Sequence, residues 1–149
     1  MKIAFGCDHA GVLLKRDLLA YVAARGFDTV DMGTDSLETC NYPRYAKPLA
    51  EAVSRGDVDL GILICGSGIG ISIAANKVDG VRAVVCSEPY SAKLSREHND
   101  SNILCLGARV VGVELAKMIV DHWLDARFEG GIHKERIDLI AAIERGEAL

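Results

Sequence analysis

Residues 59–65 read DLGILIC and run directly into a glycine-rich stretch, GSGIG, at residues 66–70. A short run that is apolar at nearly every position is typical of a strand covered on both faces, as in the centre of a parallel sheet. The glycines mark a tight turn into a helix that we predict over residues 69–77. This segment therefore predicts an α/β fold in which Cys65 lies at the carboxyl end of a central strand.

The same order of short apolar strand and longer amphipathic helix repeats along the rest of the chain. Four further strands are predicted, over residues 2–6, 27–32, 82–86 and 102–106. The remaining helices are predicted over residues 11–25, 43–55, 89–97, 113–124 and 134–145. Five repeats predict one domain over residues 1–149, a doubly wound (Rossmann-like) three-layer α/β/α fold with a five-stranded parallel sheet. Ligands of such folds bind at the carboxyl ends of the strands.

The composition argues against several classes of function. With 50% hydrophobic residues and a net charge of −4, the chain is not expected to bind nucleic acid, although a small pocket could still bind an anion. No apolar stretch approaches the roughly 20 residues needed to cross a bilayer, so no membrane association is expected. Five cysteines without a CxxC pair predict reduced thiols and a cytoplasmic protein. The four histidines are scattered, so no metal site is predicted.

Polar residues follow the first and third predicted strands. Asp8 and His9 place a carboxylate and an imidazole at the edge of the sheet, although Asp8 could equally cap the next helix. Backbone N–H groups of the loop after Cys65 could surround a phosphate or the enediolate of an isomerising sugar. The positive electrostatic potential of these N–H groups would also favour the thiolate form of Cys65. Cys65 taken alone could instead be a small buried hydrophobe, and Ser67 could cap the following helix.

A second group of candidate residues lies later in the chain. His98 belongs to a polar cluster before the fifth strand and suits acid–base chemistry, or it could simply stabilise a helix C-terminus. We expect it to meet Asp8 and His9 at neighbouring strand ends. His133 and Arg136 lie three residues apart on one helix face and suit a phosphate, unless they form a solvated helix end.

Four blocks of the sequence together resemble ribose-5-phosphate isomerase type B. They are MKIAFGCDH at residues 1–9, GILICGSGIGISIAANK at 61–77, VRAVVCSEPYSAKLSREHNDSN at 81–102 and residues 129–136. The resemblance covers nearly the whole chain, in order and with matching spacing. The wider family includes galactose-6-phosphate isomerase subunits and enzymes that act on allose 6-phosphate. The resemblance implies an enzyme of the non-oxidative pentose phosphate pathway that interconverts ribose 5-phosphate and ribulose 5-phosphate through a cis-enediolate.

The resemblance also implies a role for each candidate residue. Cys65 would move the proton between C1 and C2, and His98 would open the furanose ring. Asp8 would hydrogen-bond the released hydroxyl, and Ser67 would touch the reacting oxygens. The anion hole for the enediolate would be formed by Gly66, Ser67, Gly68, Ile69 and Gly70. The other substrate contacts would come from His9, Tyr42, Asn99, Arg109, His133 and Arg136.

The family also implies an assembly. The active sites would be shared across a homodimer, with the terminal helix at residues 134–145 packing on the partner subunit, and a tetramer is the larger alternative. No cofactor is implied, because isomerisation needs a base, a ring-opening acid and a stabiliser of the enediolate. Some members use a glutamate after the glycine loop, but residues 71–73 read ISI here, which favours the cysteine branch. Many members read GGRH where this chain has Ile132 in place of the arginine.

Three other functions are weighed against this interpretation. A six-carbon sugar phosphate could be the main substrate of the same isomerase. A nucleotide- or flavin-binding module would also use a glycine loop, but Ile71 breaks the GxGxxG fingerprint and no GK[ST] motif is present. A thiol redox protein is disfavoured because Cys65 has no CxxC partner.

Overall fold

The computed structural model describes residues 1–149, and every predicted strand and helix is present with its ends within two residues of the prediction. The strands are β1 (Lys2–Cys7), β2 (Asp28–Asp31), β3 (Leu60–Cys65), β4 (Ala83–Val85) and β5 (Ile103–Gly107). The helices are α1 (Val12–Ala24), α2 (Pro43–Arg55), α3 (Ile69–Ala75), α4 (Pro89–Asn99), α5 (Val113–Asp125) and α6 (Ile132–Glu144), with a 3₁₀ turn at His9–Gly11. A membrane-spanning segment needs a length and hydrophobicity that no helix of this structure combines.

The five strands form one parallel sheet in the order β2-β1-β3-β5-β4. Two hydrophobic cores cover its faces, one with α1, α4 and α5 and the other with α2 and α3. The fold is therefore the predicted doubly wound α/β/α architecture. The chain leaves β1 toward one side of the sheet and β3 toward the other, so the switch point lies between these neighbouring strands. A crevice outside their carboxyl ends is where such a fold binds ligands.

The central strand β3 shows why its sequence is so apolar. All six residues of Leu60–Cys65 are buried, because core packs against both faces of the strand. Its carboxyl end pairs Cys65 with Gly107 of β5, while Ile64 pairs with Cys7 of β1. The residues that follow β1, β3 and β5 consequently emerge side by side at one edge of the sheet.

Helix α6 stands apart from the two cores. It packs mainly against α4, and only Ile137 and Ala142 of its residues are buried. Leu139, Ile140 and Ile143 are about half exposed, so one apolar face of this helix has no partner within the chain.

Candidate active site

A cavity of about 450 Å³ opens at the carboxyl edge of the sheet. Its lining comes from the segments after β1, β3 and β5 and from the start of α2, as the switch-point rule predicts. All lining residues except Val110 were candidates in the sequence. The lining residues are Asp8, Tyr42, Cys65, Gly66, Ser67, Gly70, Arg109 and Val110.

The Cys65 side chain lies at the base of this cavity and is only 4% exposed. Its Sγ accepts a hydrogen bond from the backbone N–H of Gly68 at 3.2 Å. A thiolate accepts such a bond more strongly than a thiol does, because hydrogen bonds to charged acceptors are the stronger ones. Cys65 is thus both buried, as a packing cysteine would be, and open to a ligand.

Three other cysteines are buried thiols. Burial raises the pKa of Cys7 to about 11 and that of Cys86 to about 11, and it raises the pKa of Cys105 well above its usual value. None of these three residues lines the Cys65 cavity. Since the thiolate is the reactive form, they are poor candidates for proton transfer.

The loop after Cys65 presents unpaired hydrogen-bond donors. The backbone N–H groups of Gly66, Ser67, Gly70 and Ile71 have no acceptor within the protein. The Ser67 hydroxyl accepts the N–H of Ile69 at 3.2 Å, but the N-cap of α3 is Gly68, so the alternative that Ser67 caps this helix is wrong. The hydrogen of the Ser67 hydroxyl remains free. An oxyanion beside Cys65 could accept hydrogen bonds from these groups.

Two glycines allow the loop to lie where it does. Gly68 has φ = +79°, and a Cβ there would lie 2.8 Å from Cγ2 of Val85 and 2.9 Å from the carbonyl carbon of Leu106. A Cβ on Gly70 would lie 2.7 Å from Cζ of Tyr42, so the tyrosine ring rests directly on this glycine. Larger residues would push the loop or the ring into the cavity.

Arg109 supplies the positive charge of the cavity. A Cβ on Gly66 would lie 3.3 Å from Nη1 of Arg109, which puts the guanidinium over the glycine loop. The Arg109 N–H also donates to the Gly66 carbonyl at 3.0 Å, fixing the two segments together. The guanidinium makes no ion pair or hydrogen bond within the chain, so it is free to bind an anion. Its position suits a phosphate or an enediolate.

Asp8 and His9 are held in place by backbone groups. Oδ1 of Asp8 accepts the N–H of Ala10 at 2.9 Å, so this residue does cap the 3₁₀ turn, while its carboxylate also lines the cavity. Nδ1 of His9 accepts the N–H of Cys40 at 3.2 Å. Neutral His9 therefore carries its hydrogen on Nε2 and can donate it to a ligand.

A buried lysine that the sequence analysis missed holds the loop between β2 and α2. Lys15 is fully buried, and its Nζ donates to Oδ1 of Asp31 at 2.9 Å, to the Thr34 carbonyl at 2.9 Å and to Oδ1 of Asp35 at 3.2 Å. Burial lowers the pKa of Lys15, but its partners, led by Asp31, outweigh burial and raise it overall. This anchored loop leads to Cys40, which orients His9.

His98 and His133 form a second cluster with Glu129. Their rings are stacked, with centroids 4.0 Å apart and planes 5° from parallel. Oε2 of Glu129 lies 3.9 Å from Nε2 of His98 and 3.8 Å from Nε2 of His133. The three ligand atoms are close enough to hold a metal ion. Two stacked imidazoles that share one carboxylate also suit proton chemistry.

This cluster is not part of the Cys65 cavity of the same chain. Helix α4 runs back against the strand direction, so its last turn, with His98 and Asn99, precedes the amino end of β5. The expectation that His98 meets Asp8 and His9 at neighbouring strand ends is therefore wrong within one chain. His133 stacks on His98 at this opposite edge, and Arg136 lies one turn further along α6. A single chain holds two separate groups of candidate residues.

Comparison with known proteins identifies the family. The sequence model described as ribose/galactose isomerase matches residues 3–140. Ribose-5-phosphate isomerase B of Escherichia coli K12 is 62% identical over 97% of each chain, and D-erythrulose-4-phosphate isomerase of Pectobacterium atrosepticum is 43% identical over 99% of this chain and 97% of its own. The structure of Clostridium thermocellum ribose-5-phosphate isomerase B superposes with a TM-score of 0.97 at 53% identity, covering 98% of this chain and 99% of that one. The chain therefore belongs to the ribose/galactose isomerase family and is an aldose–ketose isomerase.

Proposed function

We propose that this isomerase interconverts ribose 5-phosphate and ribulose 5-phosphate through a cis-enediolate, as a step of the non-oxidative pentose phosphate pathway in the cytoplasm. The observation that carries the proposal is Cys65, a nearly buried thiol that lies beside unpaired backbone N–H groups and a free guanidinium. These are a base and a stabiliser of negative charge, which the isomerisation requires at adjacent atoms.

Cys65 is the proposed base of the proton transfer. The thiolate takes the proton from C2 of the open aldose, and the electrons of that C–H bond form the C1–C2 double bond of the enediolate. The same sulfur then returns the proton to C1, giving the ketose. Protons pass between O1 and O2 meanwhile, and the hydroxyl of Ser67, whose hydrogen is free, is the proposed group that exchanges them.

The glycine loop is the proposed anion hole. Its free N–H groups at Gly66, Ser67, Gly70 and Ile71 would bind the enediolate oxygens as their charge develops. Arg109 above Gly66 adds a positive charge that is already in place. Such preorganised donors stabilise the intermediate without reorganisation during the reaction.

The active site is proposed to be completed across a homodimer. His98 is the proposed acid for ring opening, and it lies at the opposite edge of the sheet from Cys65. A twofold dimer would bring the Cys65 edge of one chain to the His98 edge of the other, with Asn99, His133 and Arg136 arriving together. Half-exposed apolar side chains occur at both edges and support this pairing: Ile69, Ile73 and Val85 near the loop, and Leu139 and Ile143 on α6.

The phosphate would be bound by Nε2 of His9 and by His133 and Arg136 from the partner chain. Arg109 would bind either the phosphate or the enediolate. Asp8 would hold the hydroxyl released when the ring opens. Tyr42, whose ring rests on Gly70, would form the wall of the sugar pocket. The six-carbon sugar phosphates remain the alternative substrates, because these contacts recognise a phosphate and adjacent hydroxyls rather than one chain length.

The first test replaces Cys65 and measures turnover of ribose 5-phosphate in the presence of a chelator. Cys65→Ala is expected to lower kcat by at least about 100-fold, the lower range for removal of an acid–base group, while calorimetry still detects substrate binding. Cys86→Ala is the control, since Cys86 is as buried as Cys65 but lies outside the cavity. An active Cys65→Ala enzyme would refute the role of this sulfur. A higher kcat/KM for allose or galactose 6-phosphate would refute the five-carbon substrate.

A second test addresses the shared site. Cys65→Ala and His98→Asn chains are each expected to be nearly inactive alone. When the two are co-expressed, a hybrid dimer has one complete site, formed by Cys65 of one chain and His98 of the other. Random pairing makes half the dimers hybrid, so activity should recover to roughly a quarter of the wild-type value. No recovery would mean that each site is built within a single chain.

A further inference from the structure

Glu129 is a charged residue near the candidate acid that the proposed mechanism leaves without a role. Its carboxylate oxygen Oε2 is almost equidistant from Nε2 of His98 and Nε2 of His133, at 3.9 and 3.8 Å. These separations are those of ion pairs rather than of direct hydrogen bonds. One negative charge therefore faces both rings of the stacked pair.

The backbone around Glu129 fixes this arrangement. Its N–H donates to the carbonyl of Glu97, in the last turn of α4, at 3.0 Å. Gly130 and Gly131 then turn the chain with φ of +69° and +55°, and the N–H of His133 donates to the Gly130 carbonyl at 3.1 Å. The tight turn brings Glu129 and His133, four residues apart in sequence, together beside His98.

Charge balance indicates what the cluster can hold. Two imidazolium rings stacked at 4.0 Å would repel each other, whereas two neutral rings would leave the carboxylate unpaired. One proton on the pair balances the one charge of Glu129. The neighbouring acids on α4 already have partners, since Glu97 pairs with Lys93 and Asp100 with Arg96. Arg127, two residues before Glu129, donates only to the carbonyls of Leu124 and Ala126, and neither Arg127 nor Arg136 makes an ion pair with Glu129.

We infer that Glu129 is a positioning residue that keeps one proton on the His98–His133 pair, so that His98 can supply it to the sugar. The inference rests on the proposed function, in which His98 opens the ring. In that step the C1–O4 bond of the furanose breaks and O4 takes the proton from His98. The C1 hydroxyl releases its proton to solvent as the aldehyde forms, and solvent then recharges the histidine pair. Atoms and charge balance, and no cofactor is consumed.

The test compares a substrate that forms a ring with an analogue that cannot. Each variant is compared with wild type on the same substrate, because the analogue also lacks the hydroxyl that Asp8 is proposed to hold. Ribose 5-phosphate is mostly a closed furanose, while 4-deoxy-ribose 5-phosphate lacks the hydroxyl that closes it and stays open. Glu129→Gln is expected to lower kcat for ribose 5-phosphate about two- to fivefold, the range for partly exposed ion pairs, and to leave kcat for the deoxy analogue unchanged. Glu129→Asp should recover part of the loss. Glu135→Gln is the matched control and should behave as wild type, because Glu135 is an exposed glutamate in the first turn of α6 that makes no ion pair.

An equal loss on both substrates would show that Glu129 is merely structural, and no loss on ribose 5-phosphate would overturn the inference. A readout without turnover separates this failure from failure of the proposed function. Carbon-13 NMR of the histidine rings at neutral pH should show a smaller protonated fraction of His98 and His133 in Glu129→Gln than in wild type. Unchanged histidine spectra would refute the role of Glu129 whatever the substrate is. If wild type turned over neither sugar, the proposed function would fail instead.

Discussion

The backbone of the glycine loop makes a quantitative prediction at Gly68. The Gly68→Ala substitution adds one methyl group at a site with two separate obstacles. The φ of +79° is a left-handed conformation that disfavours any residue with a Cβ, and the new atom would lie 2.8 Å from Val85 and 2.9 Å from the backbone of Leu106. The loop cannot relieve the second contact by moving a flexible side chain alone, because part of the obstacle is backbone.

The chain contains a control that separates these two effects. Gly80 also has φ = +79°, but a Cβ there would meet only Oγ of Ser54, at an ordinary contact distance of 3.6 Å. Gly80→Ala should therefore cost only the conformational term, about 1–2 kcal/mol. Gly68→Ala should cost the same term plus about 1–3 kcal/mol for overpacking. The difference between the variants should thus be about 1–3 kcal/mol, and their midpoints of thermal unfolding should differ by about 2–12 °C.

Both variants would be measured by urea and thermal denaturation at one protein concentration, because stability of an oligomer depends on concentration. Activity of the folded fraction gives a second readout. Relief of the contact moves the Gly68 N–H, which is 3.2 Å from the Cys65 sulfur, so kcat should fall by roughly 10- to 100-fold in Gly68→Ala alone. Equal destabilisation of the two variants would refute the argument from crowding. Wild-type kcat in a folded Gly68→Ala enzyme would refute the catalytic importance of the loop position.

Two further predictions concern the phosphate end and the anchored loop. Ile132 is 56% exposed in the turn that carries His133, at the position where the sequence resemblance leads us to expect an arginine. Ile132→Arg should therefore lower KM about tenfold or more, and Ile132→Gln should not. An unchanged KM would mean that another residue already binds the phosphate there. The hydrogen bond from Lys15 lowers the pKa of Asp35 in the folded chain below its value in the unfolded chain. The ionised Asp35 therefore stabilises the fold at pH values above the unfolded pKa, and this stabilisation is lost as the pH falls through the folded pKa. Urea titrations below about pH 4 should therefore show a steeper loss of stability in wild type than in Asp35→Asn, and parallel pH curves would contradict this assignment.

The fold could be predicted almost completely because its signals are local and repeated. The apolar run at residues 59–65 is typical of a strand buried on both faces, and amphipathic helices between such runs favour parallel strands with crossovers. The half of the site around Cys65 followed from the same rule, since side chains after β1, β3 and β5 must meet at one edge.

The positions of the remaining site residues depend on the direction in which the helices run and on contacts between residues far apart in sequence. His98 comes before β5 rather than after it, and a helix that returns against the strands ends at their amino edge. The order of elements along the chain therefore already indicates that His98 lies opposite Cys65. Lys15 gave no signal, because a lysine in an amphipathic helix is ordinarily exposed, and its burial depends on three acceptors from a loop at least sixteen residues away. The contact of Cys40 with His9 could not be predicted either, because it is made by the backbone N–H and not by the side chain.

The Cys65 group and the His98 group lie apart in one chain, so the proposed complete isomerase site requires two copies of the chain. The sheet places the base and the anion hole at its carboxyl edge and the histidine cluster at its amino edge, so no residue of the cluster lines the Cys65 cavity of the same chain. In the proposed dimer one twofold contact completes two active sites, because each chain contributes its Cys65 edge to one site and its His98 edge to the other. The interface and the active site are then the same surface. A substitution that weakens the apolar face of α6 should consequently reduce ring opening before it unfolds the chain. All residues that line the Cys65 cavity belong to one chain, whereas the proposed acid, His98, comes from the partner chain.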